Sequence, residues 1–299
     1  MLFRSDIATM VEVGRPHVAL HATCSRLADA RDEIETLVGR RVPVISIAEE
    51  MAFPAAASPA IAQALHRLAC DQGVAVVGTG INPGFVLDLL AIVLTGVCAD
   101  VRSITARRVN DLAPYGPTVL RAQGVGLSRE AFDIGVAAGS VAGHIGFAQS
   151  VHMIAVALGW DIARIEERRE PIVSRVRRAT PFVTVEAGQV AGCLHTAVAY
   201  RGGAPAITLV HPQQIHPQLE GVETGDAVEI VGTPNVRLAG SPEIPGGQAT
   251  VALAVNMIPR VLSARPGLHA MADLPPPAAM CADARRFVAV RSEIGRVHV

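Results

Sequence analysis

Apolar and polar positions follow two different patterns along this chain, and the change between them falls near residue 100. Before that point, short apolar runs at 18–20, 42–47 and 74–77 are separated by stretches in which apolar residues recur at helical spacing. Strands that alternate with helices of this length predict a parallel sheet with helical crossovers. Because ligands on such sheets bind at the carboxyl ends of the strands, the residues that follow each run are the first candidates for a functional site.

Capping residues set the predicted helix boundaries in this first part. Ser25 is a candidate N-cap for the helix that stops at Gly39, while Ser58, followed by a proline, begins the next helix and Gly73 ends it. The most apolar run, residues 85–98, predicts a buried helix. This run contains an aspartate and is too short to span a bilayer, which takes about 20 residues.

After residue 100 the apolar runs become short and closely spaced. The predicted elements there are a strand at 101–109, helices at 128–138 and 149–158, strands at 183–185, 190–198, 206–210 and 228–231, and a last helix at 249–262. Turn residues between the strands predict a mainly antiparallel sheet, and hence an α+β domain. The predicted divisions are a first domain over 1–100, a second over 101–265 and a tail over 266–299.

Composition removes whole classes of enzyme. The chain has 299 residues, and all 26 of its lysine and arginine positions are arginine. Pyridoxal phosphate enzymes, Schiff-base aldolases, P-loop NTPases and short-chain dehydrogenases with a Tyr-x-x-x-Lys motif all need a lysine amine. A formal charge of −1, with two tyrosines and one tryptophan, also argues against nucleic acid or an anionic membrane as a partner.

The five cysteines are widely spaced and include no C-x-x-C pair, which argues against a disulfide framework and against a structural zinc site. The N-terminal residues lack the pattern of a secretory signal. We therefore expect a cytoplasmic protein. His211 and His216, with Glu220 beyond them, match metal-ligand spacing only loosely, so no metal site is expected.

A glycine-rich loop joins the third predicted strand to the most apolar run. Its sequence, Gly-Thr-Gly-Ile-Asn-Pro-Gly over residues 78–84, differs from the G-x-G-x-x-G fingerprint because the third glycine comes one residue late and follows a proline. The loop is therefore a poor phosphate cradle. It suits a pocket for a cofactor or substrate better, since its glycines allow close approach and Asn82 offers both a donor and an acceptor.

Candidate acid–base groups follow the first two strands. Glu49 and Glu50 stand side by side among apolar residues, and a glutamate in an apolar setting has a raised pKa that suits general acid–base work. The alternative for this pair is a solvated loop with two charges. His21, at the end of the first strand, is either an acid or cofactor contact or a structural histidine.

A further candidate site lies on the strand at 101–109. Arg107 and Arg108, with Asp111 beyond them, are placed to hold a substrate carboxylate through the planar guanidinium group. A surface cluster of charges is the alternative.

Three separated motifs stand in order along the chain. They are Val-Ile-Ser-Ile-Ala-Glu-Glu with a following aromatic and proline (44–54), Gly-Thr-Gly-Ile-Asn-Pro-Gly-Phe (78–85), and a C-terminal set of Pro-Glu-Ile-Pro-Gly-Gly, Val-Asn-Met-Ile-Pro, Pro-Gly-Leu and Asp-Leu-Pro (242–275). In this order they resemble the 2,4-diaminopentanoate dehydrogenase family, which includes amine dehydrogenases and is related in fold to dihydrodipicolinate reductase. The resemblance runs from Pro16 to Pro277.

The resemblance implies an NAD(P)-dependent oxidation of a small amine or diamino acid, in which hydride leaves the amine-bearing carbon and the imine is hydrolysed to a ketone and ammonia. It gives the acid–base role to Glu49 or Glu50, with Glu49 favoured. A carboxylate there would deprotonate the substrate ammonium and then activate water. The residues that match the family's cofactor-binding turn and loop are His21, Ala22, Thr23, Cys24, Gly80, Asn82 and Pro83.

The same resemblance leaves open whether the cofactor is NAD or NADP. It also implies that the second domain supplies the substrate pocket and the interface of a homodimer. Arg108 and Asp111, the predicted substrate-binding residues, belong to that domain.

One departure from the family's pattern concerns its first strands. Relatives begin with a strand, a G-x-G-x-x-G turn, a helix and a second strand that carries the ribose-recognition residue, a unit of roughly 60 to 70 residues. Here residues 1–5 lead almost directly into a helix. We therefore expect a fragment, whose fold class is α/β with an incomplete Rossmann-like parallel sheet followed by the α+β domain, and whose cofactor binding is weakened.

Two other functions stay open from the sequence. One is a cofactor-less module of the same fold that binds small molecules or dimerises. The other is an imine reductase similar to dihydrodipicolinate reductase, but the lack of lysine and the Arg-Arg-Val-Asn-Asp sequence at 107–111 do not match that enzyme's histidine-rich, lysine-containing substrate loop.

Overall fold

The computed structural model describes residues 6–283 and 286–288. The chain divides into two compact units, one that combines the stretch up to Phe85 with the stretch from Gly246 onward, and one that spans Val86–Pro245. The first five residues, where the truncated start is expected, and part of the predicted tail lie outside the described residues.

Strands and helices alternate in the first part of the first unit, as the apolar pattern predicts. In chain order they are α1 (Ile7–Gly14), β1 (Ala19–His21), α2 (Leu27–Gly39), β2 (Val44–Ser46), a 3-10 helix (Glu49–Ala52), α3 (Pro54–Ala57), α4 (Pro59–Gln72) and β3 (Ala75–Gly78).

Long strands dominate the second unit. Its elements are α5 (Leu89–Thr95), β4 (Asp100–Asp111), α6 (Pro117–Ala122), α7 (Arg129–Ala137), α8 (Phe147–Leu158), β5 (Arg164–Val173), β6 (Arg178–Ala179), β7 (Thr184–Val185), β8 (Val190–Arg201), β9 (Ala204–Gln214), a 3-10 helix (Pro217–Glu220), β10 (Gly225–Thr233) and β11 (Val236–Gly240).

The chain then returns to the first unit. The returning elements are α9 (Gly246–Asn256), α10 (Ile258–Ser263), β12 (Gly267–His269) and a 3-10 helix (Met271–Asp273). This arrangement differs from the predicted divisions, because residues 246–265 group with the first unit and the predicted tail contains a strand.

The sheet of the first unit is parallel and runs in the order β1-β2-β3-β12. The central strands β2 and β3 are buried, and α2 and α4 contribute residues such as Ile34 and Leu65 to the core beside them. Parallel strands require crossover connections, and the helices between β1, β2 and β3 provide them. The predicted α/β class with a parallel sheet is confirmed.

The sheet of the second unit has the order β11-β10-β4-β9-β8-β5. Each neighbouring pair is antiparallel except β4 and β9, which are parallel, so the sheet is mixed but mainly antiparallel. On β4 and β9 the buried side chains alternate with partly exposed ones, as in Ile207 and Leu209 against Thr208 and Val210. This alternation gives the sheet one covered face.

The predicted boundaries of α4 and the predicted end of α2 at Gly39 are confirmed, whereas the predicted start of α2 and both predicted ends of the 85–98 helix are wrong. Ser58 accepts a hydrogen bond from the backbone N–H of Ile61 at 3.4 Å, and Gly73 ends α4 with a φ of 73°. The N-cap of α2 is Arg26 and not Ser25. The helix predicted over 85–98 is only Leu89–Thr95, because turns occupy the residues before it.

Candidate active site

The carboxyl ends of β1, β2 and β3 bring most of the predicted site residues together. His21, Ser46 and Gly78 are register partners at the last positions of these three strands. The 3-10 helix that carries Glu49 and Glu50 follows β2, and the glycine-rich loop follows β3. The site therefore lies at the edge of the sheet where parallel α/β folds bind ligands.

His21 is the buried centre of a chain of polar side chains that ends at the partly exposed Glu33. Its Nδ1 lies 2.9 Å from the hydroxyl of Ser46, and its Nε2 lies 3.0 Å from a carboxylate oxygen of Glu33. The backbone N–H of Ala48 donates to the same hydroxyl at 3.2 Å. When the Ser46 hydroxyl donates to Nδ1, the imidazole, the hydroxyl and the Ala48 N–H all have hydrogen-bond partners. These bonds connect Glu33, through His21 and Ser46, to the start of the 3-10 helix.

Glu50 is bound to the N-terminus of α2. One carboxylate oxygen accepts a hydrogen bond from the backbone N–H of Leu27 at 2.8 Å, and the other lies 3.6 Å from the guanidinium of Arg26. A carboxylate at this position satisfies a free N–H group of the helix and interacts favourably with its dipole. Glu50 thus has a capping role that its sequence context did not reveal.

Glu49 has a different environment. Burial raises the pKa of its carboxyl group above the ordinary value of 4.5, and the neighbouring charge of Glu50 adds to the increase. A hydrogen bond from the Ser25 side chain lowers the pKa and so opposes this effect. A carboxyl group with a raised pKa next to a ligand-binding edge is suited to general acid–base chemistry.

The glycine-rich loop folds tightly over the end of β3. A Cβ atom at Gly78 would overlap the backbone carbonyl of Met51, and one at Gly84, which has a φ of 124°, would lie 2.6 Å from the backbone nitrogen of Gly80. The loop is held from the other side by Thr250, whose hydroxyl accepts a hydrogen bond from the Ile81 N–H at 3.2 Å. Glycine is therefore required at both positions.

Two residues of this loop have buried polar atoms without a partner. They are the hydroxyl oxygen of Thr79 and both atoms of the Asn82 side-chain amide. A buried polar atom without a hydrogen bond costs free energy, so such atoms indicate a group that is bound in the functional state. An amide pairs with a ligand that presents both an acceptor and a donor.

The remaining residues matched to the cofactor turn lie around the same edge. Ala22 and Thr23 are exposed, and the hydroxyl of Thr23 donates to Glu33 at 2.6 Å. Cys24 is partly buried, and burial raises the pKa of its thiol. Pro83 is buried within the glycine-rich loop.

Arg108 and Asp111 lie in the second unit. The guanidinium of Arg108 is buried, 2.7 Å from a carboxylate oxygen of Asp226, and also donates to the carbonyl of Ile244 at 2.5 Å. Asp111 accepts hydrogen bonds from the N–H groups of Ala113 and His216 and lines a cavity of about 620 Å³ that also contains Glu243. The partners of Arg108 are thus internal ones, and Asp111 faces a carboxylate-rich cavity.

The loosely spaced histidines are engaged in other contacts. His211 Nδ1 lies 2.8 Å from the Arg108 carbonyl oxygen, and His216 Nε2 lies 2.9 Å from the Ala179 carbonyl oxygen. Glu220 accepts from Arg175 at 2.7 Å and is paired with the buried Arg178. Within residues 6–283 and 286–288, no group of three histidine, cysteine or carboxylate side chains has the arrangement of a metal site.

Comparison with known proteins decides the family. Residues 85–290 match the family model of the 2,4-diaminopentanoate dehydrogenase C-terminal domain. A 2,4-diaminopentanoate dehydrogenase of Acetoanaerobium sticklandii is 48% identical over 278 residues, which cover 93% of this chain and 79% of the relative. The chain belongs to the 2,4-diaminopentanoate dehydrogenase family. The predicted family is therefore confirmed.

A solved structure supports the fold of this family member independently. An amine dehydrogenase from Mycobacterium smegmatis superposes with a TM-score of 0.81 over 92% of this chain and 80% of that one, at 22% sequence identity. In the part of the family member that the structure describes, no helix is long and apolar enough to cross a bilayer.

Several residues around this candidate site were not predicted from the sequence to have a role in it. Ser46 and Glu33 hold His21, and Ser25 contacts Glu49, although Ser46 lies within the motif at 44–54. Ser46 could have been found from its position at the last residue of a strand next to two glutamates. Glu33 gives no such signal, because it is an ordinary charged residue on a helix.

Proposed function

We propose that this chain is a nicotinamide-dependent dehydrogenase that oxidises the amine-bearing carbon of a small amine or diamino acid and yields a ketone and ammonia. The proposal extends to this chain the activity that its relative's name states. The observation that carries it is the separation of roles between adjacent glutamates, because Glu50 caps a helix while Glu49 keeps a raised pKa at the ligand-binding edge.

The site residues fit a nicotinamide cofactor. The unpaired amide of Asn82 offers a donor group and an acceptor, which is the complement of a carboxamide group, and the hydroxyl of Thr79, three residues earlier, is also unpaired. Glycines 78 and 84 let the loop that carries Asn82 pack closely against backbone atoms of Met51 and Gly80. When bound, the nicotinamide supplies the acceptor for the hydride. The fit holds for NAD and for NADP.

Glu49 moves the protons of the reaction. An ammonium ion cannot release hydride from its carbon, so the substrate must first lose a proton, and the Glu49 carboxylate is the base that accepts it. After it has released that proton to solvent, the carboxylate removes a proton from the water that attacks the imine carbon, and ammonia then leaves with a proton returned from the Glu49 carboxyl group. A raised pKa makes both transfers efficient near neutral pH, since the proton affinity of the carboxylate is closer to that of its partners.

The buried chain through His21 positions this base. The Ser46 hydroxyl accepts a hydrogen bond from the N–H of Ala48, the residue directly before Glu49. His21 is hydrogen-bonded to Ser46, and Glu33 is hydrogen-bonded to His21. The 3-10 helix therefore begins at a fixed place at the end of β2, and Glu49 is presented from a rigid support.

The test is an assay of amine-dependent reduction of NAD+ and of NADP+ with 2,4-diaminopentanoate and with pentan-2-amine. It is run on this chain and on the form of the protein that includes any in-frame segment encoded upstream of Met1. Reduction that depends on the amine and releases ammonia is the expected result. No reduction in either form, while a reduced cofactor still binds, would contradict the proposal. The homodimer expected from the resemblance stays a prediction, which sedimentation velocity tests.

A further inference from the structure

Two side chains of α4 contact the start of β12, within the first unit. His66 and Cys70 stand four positions apart on α4, which places them on one face of the helix, and Cys70 Sγ lies 3.5 Å from His66 Nε2. Both residues are exposed. We call them the His66–Cys70 pair. The strand that they contact, β12, pairs with β3 at one end of the parallel sheet.

Hydrogen bonds fix the direction of each group in the pair. The backbone N–H of Leu268 donates to His66 Nδ1 at 3.2 Å, so the proton of the neutral imidazole is on Nε2, the atom next to Cys70 Sγ. The thiol of Cys70 donates to the carbonyl of Pro266 at 3.6 Å. The pair therefore binds one N–H and one C=O of the backbone where β12 begins.

The contact between α4 and this backbone leaves little room. Gly267 has a φ of 134°, and a Cβ atom there would lie 2.9 Å from His66 Cε1 and 3.5 Å from Cys70 Sγ. A group attached to the Cys70 sulfur cannot fit between the helix and the strand, so the sulfur must turn outward or the strand must move. In both cases the hydrogen bond to Pro266 is lost, because a modified sulfur has no proton to donate.

The cysteines of the chain differ in their access to reagents. Cys70 and Cys281 are exposed, whereas Cys193 is buried and burial raises the pKa of its thiol to about 12. Burial also raises the pKa of the Cys24 thiol. Only the thiolate form of a cysteine is a good nucleophile, and an N–H group next to the sulfur interacts favourably with the negative charge that develops there. The exposed Cys70 has such a donor in His66.

We propose that Cys70 is a thiol-modification site that low-molecular-weight disulfides convert to a mixed disulfide, and that this conversion loosens β12. The thiol releases its proton to solvent, and its sulfur attacks one sulfur of the reagent. A new S–S bond forms while the S–S bond of the reagent breaks, and the leaving thiolate takes up a proton. Cys70 is oxidised and the departing half of the reagent is reduced. The inference goes beyond the proposed function and does not depend on it.

The effect on β12 extends to the adjacent strand. β12 is three residues long, and its register with β3 ends where His269 stands beside Val77, the residue before Gly78. A short strand at the end of a sheet has few contacts that oppose local opening. Loss of the contact from Cys70 should therefore increase the opening of β12 more than that of β2, which lies between two strands.

The first measurement locates the reactive thiol. The full chain is incubated with glutathione disulfide, and peptide mass spectrometry follows the modified fraction at each cysteine with time. Cys70 is expected to react about tenfold faster than Cys281. His66→Leu removes the donor next to the sulfur and should slow the reaction at Cys70 about tenfold, with the rate at Cys281 unchanged. Circular dichroism establishes that the variant is folded.

The second measurement follows β12 by hydrogen–deuterium exchange. The backbone amides of residues 267–269 should exchange about tenfold faster in the modified protein, and dithiothreitol should restore the original rate. Cys70→Ser is the matched control, because a serine hydroxyl can still donate to the Pro266 carbonyl but forms no disulfide. Exchange in this variant should be unaffected by glutathione disulfide, whereas Cys281→Ser should respond like the wild type.

Three results would overturn the inference. They are a reaction at Cys281 as fast as that at Cys70, a rate at Cys70 that is the same in folded His66→Leu, and modification of Cys70 with unchanged exchange at residues 267–269. An increase in exchange that also occurs in treated Cys70→Ser would likewise assign the effect to another group. None of these measurements involves an amine, so their outcome is independent of the outcome for the proposed function.

Discussion

The carboxylate of Glu50 accepts a hydrogen bond from the backbone N–H of Leu27 at 2.8 Å, and this contact separates two neighbouring glutamates into different roles. A side chain that caps a helix loses that bond if it moves toward a substrate. Burial raises the pKa of the neighbouring Glu49, and a hydrogen bond from the Ser25 side chain opposes this increase.

Substitution of the two glutamates by glutamine is expected to give opposite results. Glu49→Gln removes the base and should lower kcat for amine oxidation by about 100-fold or more, since general bases contribute roughly that much. Glu50→Gln keeps an oxygen that can accept from Leu27 and loses only a partly exposed ion pair, so kcat should stay within a few-fold of wild type. Steady-state kinetics with saturating cofactor measure both. A Glu50→Gln enzyme as slow as Glu49→Gln would show that the roles are not separate.

The pH dependence of kcat/KM should report the raised pKa of Glu49. The base must be ionised, so the rate falls as the pH falls through its pKa, and this acid limb should lie above pH 4.5, the ordinary glutamate value. Ser25→Ala removes a hydrogen bond that lowers the pKa and should move the limb to higher pH. An acid limb that stays in place in Ser25→Ala would assign it to a different group.

The buried chain through Ser46 should contribute to stability. Ser46→Ala leaves His21 Nδ1 and the N–H of Ala48 without a partner, which is expected to lower the free energy of unfolding by about 1–3 kcal/mol. Ser58→Ala, which removes only a helix cap, is the comparison, at about 1 kcal/mol. Urea denaturation followed by circular dichroism measures the difference. If Ser46→Ala were as stable as wild type, the chain of hydrogen bonds would have no structural role.

Asn82 should matter for the cofactor and not for the fold. Asn82→Leu replaces an unpaired amide by an apolar group of similar shape, so the melting temperature should be unchanged or higher, while the Kd for NADH or NADPH should rise about tenfold, as loss of a hydrogen-bonding amide implies. Thr250→Val is the control, because it removes the hydrogen bond to the Ile81 N–H and leaves Asn82 unchanged. It therefore distinguishes an effect of the loop's position on cofactor affinity from an effect of direct contact with Asn82. Unchanged cofactor affinity in Asn82→Leu would place the cofactor's amide elsewhere.

Buried neutral histidines should make the protein less stable in acid. Burial holds the pKa of His211 at about 3, against 6.5 for the free side chain, so the unfolded chain binds a proton first as the pH falls. The free energy of unfolding is therefore highest above pH 6.5 and decreases as the pH falls toward 3. His211 alone should lower it by roughly 2 kcal/mol at pH 5, relative to its value above pH 6.5.

His211→Asn tests this dependence. Asparagine can still donate to the Arg108 carbonyl but does not titrate, so the loss of stability between pH 7 and pH 5 should be smaller than in wild type. His17→Asn, at an exposed position, should leave the dependence unchanged. Chemical denaturation at both pH values provides the measurement, and an identical pH dependence in His211→Asn and wild type would refute the assignment.

The sequence predicted the elements whose signals are local. The proline after Ser58 and the left-handed backbone at Gly73 depend on neighbouring residues alone, and both boundaries of α4 are where the pattern places them. The N-terminus of α2 depends on a distant group instead. Ser25 stands where a cap is expected, yet the Glu50 carboxylate supplies the hydrogen bond from 23 positions away.

The same distinction applies to the site. Strand ends and glycines marked the edge at which His21, Glu49 and Asn82 lie, because the geometry of parallel sheets brings strand ends together. The pairing of Asn110 with Gln213 could not be predicted, since these two residues become neighbours only through the register of β4 and β9.

The last strand of the first unit has a consequence for synthesis in the cell. β12 pairs with β3, and 188 residues of chain lie between Gly78, the last residue of β3, and Gly267, the first residue of β12. During translation, β3 therefore has an open side until β12 has left the ribosome. A premature stop codon that deletes β12 should expose that edge permanently, and such products should be cleared by proteases or accumulate as aggregates even though every residue of the proposed catalytic edge has been made.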